Sequence, residues 1–389
     1  MLNLSKNISD RIPVQAPVDA KKRVFVGMSG GVDSSVSAYL LKEQGYDVTG
    51  VFIKVWQPDS TDCGWKDERR DAMRVAAVLD IPFITLDFSE QYKREVVDYM
   101  INEYRVGRTP NPDVMCNRHV KFGSFLKYTL AEGVDYVATG HYAQNIWNKK
   151  TNLFEMKEGI DANKDQSYFL WTLTQEDLKH VLFPIGHLEK SEVRRIAEKA
   201  GLPVFDKKDS QGVCFIGHLD MKEFLKEHIE THTGNVLDTD GNVIGTHEGA
   251  ILYTIGERHG FTFNTKTIEN EPHFITAKDI EKNTITVAAK SHFENDSNLA
   301  RTNVAVTSVS CSQNIDEYLN TKISARIRYR QEKQSCIISK NNEQRKEIHS
   351  HKGQYIVTFD TPQKGIAEGQ SVVLYDGDTC LGGGILNFI

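Results

Sequence analysis

Short apolar runs alternate with helical spacing along the first half of the chain. Strand-like runs occupy 23–26, 47–55, 81–88 and 135–139, and a helical pattern follows the first of them and ends at Gly45. Ala72, Val75, Ala76 and Leu79 recur at i, i+3, i+4 and i+7, one face of a helix. Ser191 is placed to cap a further helix, whose Val193, Ile196, Ala197 and Ala200 repeat that spacing and which Gly201 ends. Strands alternating with helices predict an α/β fold with a doubly wound parallel sheet. Ligands of such a sheet lie beyond the carboxyl ends of its strands. Residues 29–35 and the run Thr139-Gly140-His141-Tyr142 each follow a strand directly, so both are expected to face one crevice.

The pattern changes after about Gly217. A helical stretch at 220–230 leads into short β-like pieces with turn signals at Thr239-Asp240-Gly241-Asn242 and Glu281-Lys282-Asn283. From about Ser291 alternating strands dominate, at 322–329, 354–359 and 371–375, which suggests a β-barrel or sandwich. The expected organisation is a loose extension over 1–20, a catalytic domain over 21–217, a small central linker domain over 218–290 and a β-rich C-terminal domain over 291–389.

A chain of 389 residues has room for these units. No apolar run approaches the roughly 18 residues that span a bilayer, and residues 1–20 lack the apolar core of a signal peptide. No membrane partner is expected, and the cytoplasm is the expected location. The net charge of −6 does not mark a nucleic-acid binder, so an RNA partner would have to be held by local basic patches. The six cysteines (Cys63, Cys116, Cys214, Cys311, Cys336, Cys380) form no C-x-x-C, which removes the usual spacing of zinc and iron–sulfur ligands. Without a secretion signal, a disulfide framework is not expected either.

The segment Ser29-Gly30-Gly31-Val32-Asp33-Ser34-Ser35 carries the clearest chemistry. A strand that turns through glycines into a helix lets backbone amides and the helix dipole meet a phosphate. The hydroxyls of Ser29, Ser34 and Ser35 are expected to add donors. The lysine of the G-x-x-x-x-G-K-[ST] phosphate loop is missing. The turn resembles instead that of the PP-loop ATP pyrophosphatases, whose S-G-G-x-D-S grips pyrophosphate while ATP adenylates a substrate.

Two further segments carry candidate thiols. Cys116 stands in Gly107-Arg108-Thr109-Pro110-Asn111-Pro112-Asp113-Val114-Met115-Cys116-Asn117, where two prolines in three residues predict a rigid turn, not a core helix. Asp113 precedes the cysteine by three positions, near enough to share a site. Cys214 stands in the polar run Lys207-Lys208-Asp209-Ser210-Gln211-Gly212-Val213-Cys214, and cations so close lower a thiol's pKa from about 8.5. Either cysteine alone also reads as a buried, inert, small apolar residue.

Together with the PP-loop, several segments resemble the bacterial tRNA-specific 2-thiouridylases in the same order. They are 107–117, Ala138-Thr139-Gly140-His141-Tyr142, Asn163-Lys164-Asp165-Gln166-Ser167-Tyr168-Phe169-Leu170, 208–217, Arg328-Tyr329-Arg330-Gln331 and Leu381-Gly382-Gly383-Gly384, and the resemblance runs from about Lys22 to the C-terminus. It implies a tRNA-uridine 2-sulfurtransferase that adenylates the C2 oxygen of the wobble uridine with ATP and replaces that oxygen with persulfide sulfur. ATP would rest on Gly27, Met28, Ser29, Gly30, Gly31, Val32, Asp33 and Ser34, with Ile53 and Gly140 shaping the nucleotide pocket. Ile53 stands where the family often has methionine, an exchange of one apolar contact for another. Cys214 would carry the persulfide, delivered by a sulfur donor protein (a relay protein or a cysteine desulfurase). Cys116 would be the attacking nucleophile and close a transient disulfide with Cys214, and Asp113 would act as acid/base. Asn111, Pro112 and Asp113 would touch the target base, and His141, Lys164, Asp165, Gln166, Arg328, Tyr329 and Gln370 would contact tRNA. Mg2+ is expected with ATP, held largely by phosphates, so no protein ligand for it can be named.

A basic run supports the RNA reading. Lys322, Arg326, Arg328, Arg330 and Lys333 face one acid, Glu332, and on a continuous strand the three arginines share a side. Guanidinium groups in a row suit a phosphate backbone, although charge also protects an edge strand. Two other functions compete. Another PP-loop enzyme adenylating a small molecule would need neither the thiols nor the basic run. A non-catalytic tRNA-binding or nucleotide-sensing protein would be indifferent to the loss of either thiol.

Overall fold

The computed structural model describes residues 22–58, 64–208, 220–264, 271–341 and 354–389. The first seven strands are β1 (Arg23–Gly27), β2 (Asp47–Lys54), β3 (Phe83–Asp87), β4 (Tyr136–Ala138), β5 (Ala143–Asn148), β6 (Leu153–Glu158) and β7 (Val181–Leu182). Five of them form a parallel sheet in the order β3-β2-β1-β4-β7. Residues alternate across it. Val24 and Val26 pack with Val36, Leu40, Val193 and Ile196 of two helices. Phe25, Val51 and Ile53 pack on the other side with Tyr92, Phe122 and Phe125. Both faces are covered, which is why these strands read as continuous apolar runs. The chain winds away from β1 in opposite directions through β2 and β4, so the gap beyond the ends of β1 and β4 is the topological switch point.

The helix Val32–Glu43 ends as expected, with Gly45 at φ +88°, a conformation that favours glycine. The helix Lys190–Lys199 starts before Ser191, which therefore does not cap it. Its first amide, on Lys190, donates to the Asp161 carboxylate at 3.0 Å, a cap from a distant loop that local spacing does not reveal. The segment around Cys116 also departs from expectation. Pro112 opens a short helix, Pro112–Met115, that runs into a wider helical stretch, Cys116–Phe125. Proline fits the first helical position because no intrahelical bond is needed there and its φ is already set.

After the helix Met221–His228, capped by Asp220, come β8 (Gly234–Leu237), β9 (Val243–His247), β10 (Phe261–Phe263), β11 (His273–Asp279) and β12 (Thr284–Ala289). They form a small sheet in the order β10-β9-β8-β12-β11. The C-terminal strands are β13 (Ala300–Cys311), β14 (Lys322–Arg326), β15 (Gln334–Lys340), β16 (Tyr355–Lys364), β17 (Ser371–Asp376) and β18 (Thr379–Asn387). Their antiparallel order, β13-β16-β15-β14-β17-β18, is closed by pairing of β13 with β18, so the expected barrel-or-sandwich is a barrel. The hairpin β5–β6 leaves the first half of the chain and pairs through β6 with the start of β18. No helix among the described residues is long and apolar enough to cross a membrane.

The basic run is not one strand. β14 ends at Arg326, and Arg330 adopts φ +64° in the turn that follows. Arg326 turns inward onto Glu158 at 2.8 Å and Asp165 at 2.6 Å. Arg328 donates to the backbone carbonyls of Ile255 and Gly365. The three arginines therefore do not share a face, because two of these charges are needed by a carboxylate pair and by carbonyls of the loops they join.

Candidate active site

The PP-loop bridges β1 and the helix Val32–Glu43. Met28 N donates to Val51 O at 2.8 Å, which continues the parallel pairing one residue past β1. Gly30 adopts φ +74°, and a Cβ there would lie 2.3 Å from the Glu68 carbonyl, so only glycine fits. The helix opens on Gly31 with no side-chain cap, leaving its start to be met by an oxyanion. The serines mostly brace the loop itself. Ser35 Oγ donates to Gly31 O at 2.7 Å and Ser34 Oγ donates to the same carbonyl at 3.3 Å. Ser35 is fully buried, so its hydroxyl is not the expected phosphate donor. Ser29 is exposed at the rim of the loop.

The two strand ends meet, as their spacing predicts. A Cβ on Gly140 would lie 2.7 Å from Ser34 N and 2.8 Å from the carbonyl carbon of Asp33. Tyr142 OH donates to Asp33 Oδ1 at 2.8 Å. Lys190 Nζ donates to both Asp33 oxygens, at 2.7 and 2.8 Å, and is only 12% exposed. The carboxylate of the loop is thus paired by a lysine from the helix Lys190–Lys199. Gly27 faces Ile53, Phe125 and the Ala138 carbonyl, each 3.7–3.8 Å from where its Cβ would be, so Ile53 does line the wall beside the loop.

Cys116 is buried, 1% exposed, at the junction of the two helical stretches. Asp113, three positions earlier in the same turn, lies on the same helical side. Asn111 Oδ1 accepts from Val114 N at 3.3 Å and caps this helix. The loop before it is held from both other parts of the molecule. Gln370 Nε2 donates to Thr109 O at 2.9 Å and Pro110 O at 3.2 Å. The Thr109 and Thr254 hydroxyls are 3.0 Å apart. Asn117 Nδ2 donates to Phe169 O at 2.9 Å, and Phe169 packs against Tyr329 with centroids 4.5 Å apart. Cys214 lies outside the described residues, as does Cys63. Burial pushes the thiols of Cys311 and Cys336 up to about 12 and that of Cys380 higher still, so these three are inert.

Comparison with known proteins gives the family of the chain. Residues 22–218 match the family described as tRNA methyl transferase HUP domain, 222–289 the tRNA methyl transferase PRC-barrel domain, and 301–386 the aminomethyltransferase beta-barrel domain. The tRNA-specific 2-thiouridylase MnmA of Streptococcus thermophilus is 44% identical over 374 residues, 95% of this chain and 96% of that protein. The protein of the same name from Lactococcus lactis subsp. cremoris is 45% identical over 374 residues, 95% of each. The chain belongs to the tRNA-specific 2-thiouridylase family. The U34-tRNA thiolase NcsA of Methanococcus maripaludis is similar at 18% identity and a TM-score of 0.36, over 57% of this chain and 70% of that one. So slight a likeness adds nothing about the site.

In this family member the residues expected to contact tRNA fall into two groups. His141, Asp165, Gln166 and Gln370 are engaged within the protein. His141 Nδ1 shares a 2.8 Å hydrogen bond with the Thr139 hydroxyl, and its ring sits between Phe122 and Phe183. Burial, with the Lys121 charge adding to it, holds the imidazole well below its usual pKa, so it is neutral. Asp165 accepts from Gly159 N, Ser167 N, Ser167 Oγ and Arg326. Gln166 Oε1 accepts from Tyr142 N at 3.0 Å. Pro112, Asp113, Lys164 and Tyr329 are half-buried and Arg328 is exposed, so each reaches the surface. Sequence reasoning misses Lys190; a lone lysine at a helix start, 157 positions from Asp33, leaves no local mark. Lys207 lies near Cys214 in sequence, but its ammonium is directed at Gly30 O and Asp71. No group of three His, Cys, Asp or Glu able to hold a metal occurs among the described residues.

Proposed function

We propose that this member of the family is an ATP-dependent tRNA-uridine 2-sulfurtransferase that converts the wobble uridine to 2-thiouridine. The observation that carries the reading is the meeting of the PP-loop with the end of β4, in a chain related to 2-thiouridylases along almost its whole length. Residues 27–34 hold the triphosphate, Lys190 and Tyr142 fix the Asp33 carboxylate beside it, and Ile53 and Gly140 border the base. A carbonyl oxygen is a poor leaving group; adenylation makes it leave as AMP. The uridine must swing out of its stack to reach this point, and Asn111, Pro112 and Asp113 receive it.

Sulfur arrives as a persulfide on Cys214, loaded by a donor protein. The Cys116 thiolate attacks Cys214 Sγ, the S–S bond to the outer sulfur breaks, and hydrosulfide leaves as the Cys116–Cys214 disulfide forms. Hydrosulfide then attacks C2 and expels AMP. A thiol reductant returns the two electrons that reopen the disulfide. Asp113 handles the protons. The burial of Cys116 suits this role in one respect, since water is kept from a thiol that must meet only sulfur. The enzyme works in the cytoplasm with Mg2+-bound ATP. Mass spectrometry of tRNA nucleosides after incubation with ATP, Mg2+ and a sulfur donor is the test. 2-Thiouridine is expected with the native enzyme and not with Cys116→Ser or Cys214→Ser; its persistence in either variant overturns the thiol roles.

A further inference from the structure

Arg328 stands where the three parts of the chain meet. Its Nη2 donates to Ile255 O at 3.0 Å and to Gly365 O. The first carbonyl lies in the connection between β9 and β10, the second in the turn between β16 and β17. Both turns leave room for the guanidinium only because glycine is there. A Cβ on Gly256, at φ +83°, would lie 2.6 Å from Nη2, and one on Gly365, at φ +64°, would lie 2.8 Å from it.

The same two turns hold the loop before Cys116. On one side, the hydroxyls of Thr254 and Thr109 are 3.0 Å apart. On the other, Thr109 N donates to Glu368 O at 2.8 Å, and Gln370 Nε2 donates to Thr109 O and Pro110 O. Tyr329 leads to the far end of the segment. Its ring packs on Phe169, whose carbonyl accepts from Asn117 Nδ2 at 2.9 Å. Residues 109–117, with Asp113 and Cys116 among them, are thus held at both ends by contacts that lead back to 328 and 329.

Hydrogen bonds from a cation are about twice as strong as neutral ones, and a positive group between two carbonyl oxygens offsets their mutual repulsion. A guanidinium has five N–H donors. Those on Nη2 are taken up by the clamp, and among the described residues Nε and Nη1 donate to no protein group. Donors on an exposed residue therefore remain for an RNA phosphate while the clamp stays closed.

We infer that Arg328 is a positioning residue: it draws together the two turns that clamp Thr109 and Pro110, and so aims the helix that carries Asp113 and Cys116. This role rests on the proposed 2-thiouridylase reaction, in which those two side chains act. A phosphate contact alone would set only how tightly tRNA is held. A positioning residue also sets the rate once tRNA is bound.

Two measurements on the full-length enzyme separate these roles. Hydrogen exchange without tRNA reads the clamp directly, and Arg328→Met is expected to speed exchange of the amides between 109 and 115 roughly tenfold. With saturating tRNA, ATP, Mg2+ and a sulfur donor, the same variant is expected to lower kcat for 2-thiouridine roughly tenfold. Thr254→Val cuts the tether between Arg328 and Thr109, so Arg328→Met should add much less than that in its background. Unchanged exchange between 109 and 115 overturns the positioning role. So does a normal kcat with only weaker tRNA binding and a flatter salt dependence, or a full effect of Arg328→Met on top of Thr254→Val. Absence of 2-thiouridine with the native enzyme would overturn the reaction instead, and the exchange rates would still decide whether Arg328 holds the loop.

Discussion

Gly140 leaves no room for a side chain. Its missing Cβ would press on backbone atoms of Asp33 and Ser34, which cannot swing aside as a side-chain end could. Gly140→Ala is expected to displace the start of the phosphate helix at about 1–3 kcal/mol and to weaken ATP binding by roughly tenfold or more. Calorimetric titration with ATP checks this, and native-like affinity would refute it. His141, next in the chain, makes a pH prediction. Its folded pKa lies below the unfolded value of about 6.5. As pH falls through 6.5 the unfolded chain takes up a proton that the folded protein refuses, so stability present at neutral pH is lost toward the folded value. Denaturant melts of His141→Gln are the check. The variant should be less stable than the native protein at pH 7.5 but lose less between pH 7.5 and 5. Parallel losses in the two proteins would refute it.

At the scale of elements, the short helix Pro112–Met115 shows how a proline-rich stretch can be helical when its proline falls at the first position. Asn111 caps it from inside the molecule, 8% exposed. Asn111→Ala removes that cap and should cost about 1 kcal/mol of stability, read as a lower urea midpoint with unchanged m-value. A midpoint equal to that of the native protein would show the cap to be idle. β14 makes the opposite point. Its alternation is real, but the strand stops at Arg326 because that side chain is drawn to Glu158 and Asp165 of the first half of the chain.

For the whole molecule, Asp165 and its partners join the barrel to the parallel-sheet half. Asp165 is 3% exposed and Arg326 15%, and the pair is continued by Ser167 and Tyr375, whose hydroxyls are 3.1 Å apart. Asp165→Ala leaves two buried backbone amides unpaired and takes one of the two carboxylates from the Arg326 guanidinium, which keeps Glu158, and about 2 kcal/mol of stability should go with it. Thermal melting without tRNA checks this. A variant that melts normally and fails only in tRNA binding would assign Asp165 to the RNA instead. The same junction holds the Thr109–Pro110 backbone between Gln370 and Thr254, so the helix bearing Cys116 is aimed by all three parts of the chain.

The order of strands and helices and the glycine turn of the PP-loop were determined by the sequence alone, because periodicity and glycine turns act over a few residues. Gly45 ending its helix and Gly30 in its turn are of this kind. Closure of the barrel, the Lys190–Asp33 pair, the inward turn of Arg326 and the burial of Cys116 were decided only by the tertiary structure. Each depends on partners distant along the chain or on packing from several elements, and a charge that will be paired looks, in sequence, like one that faces water.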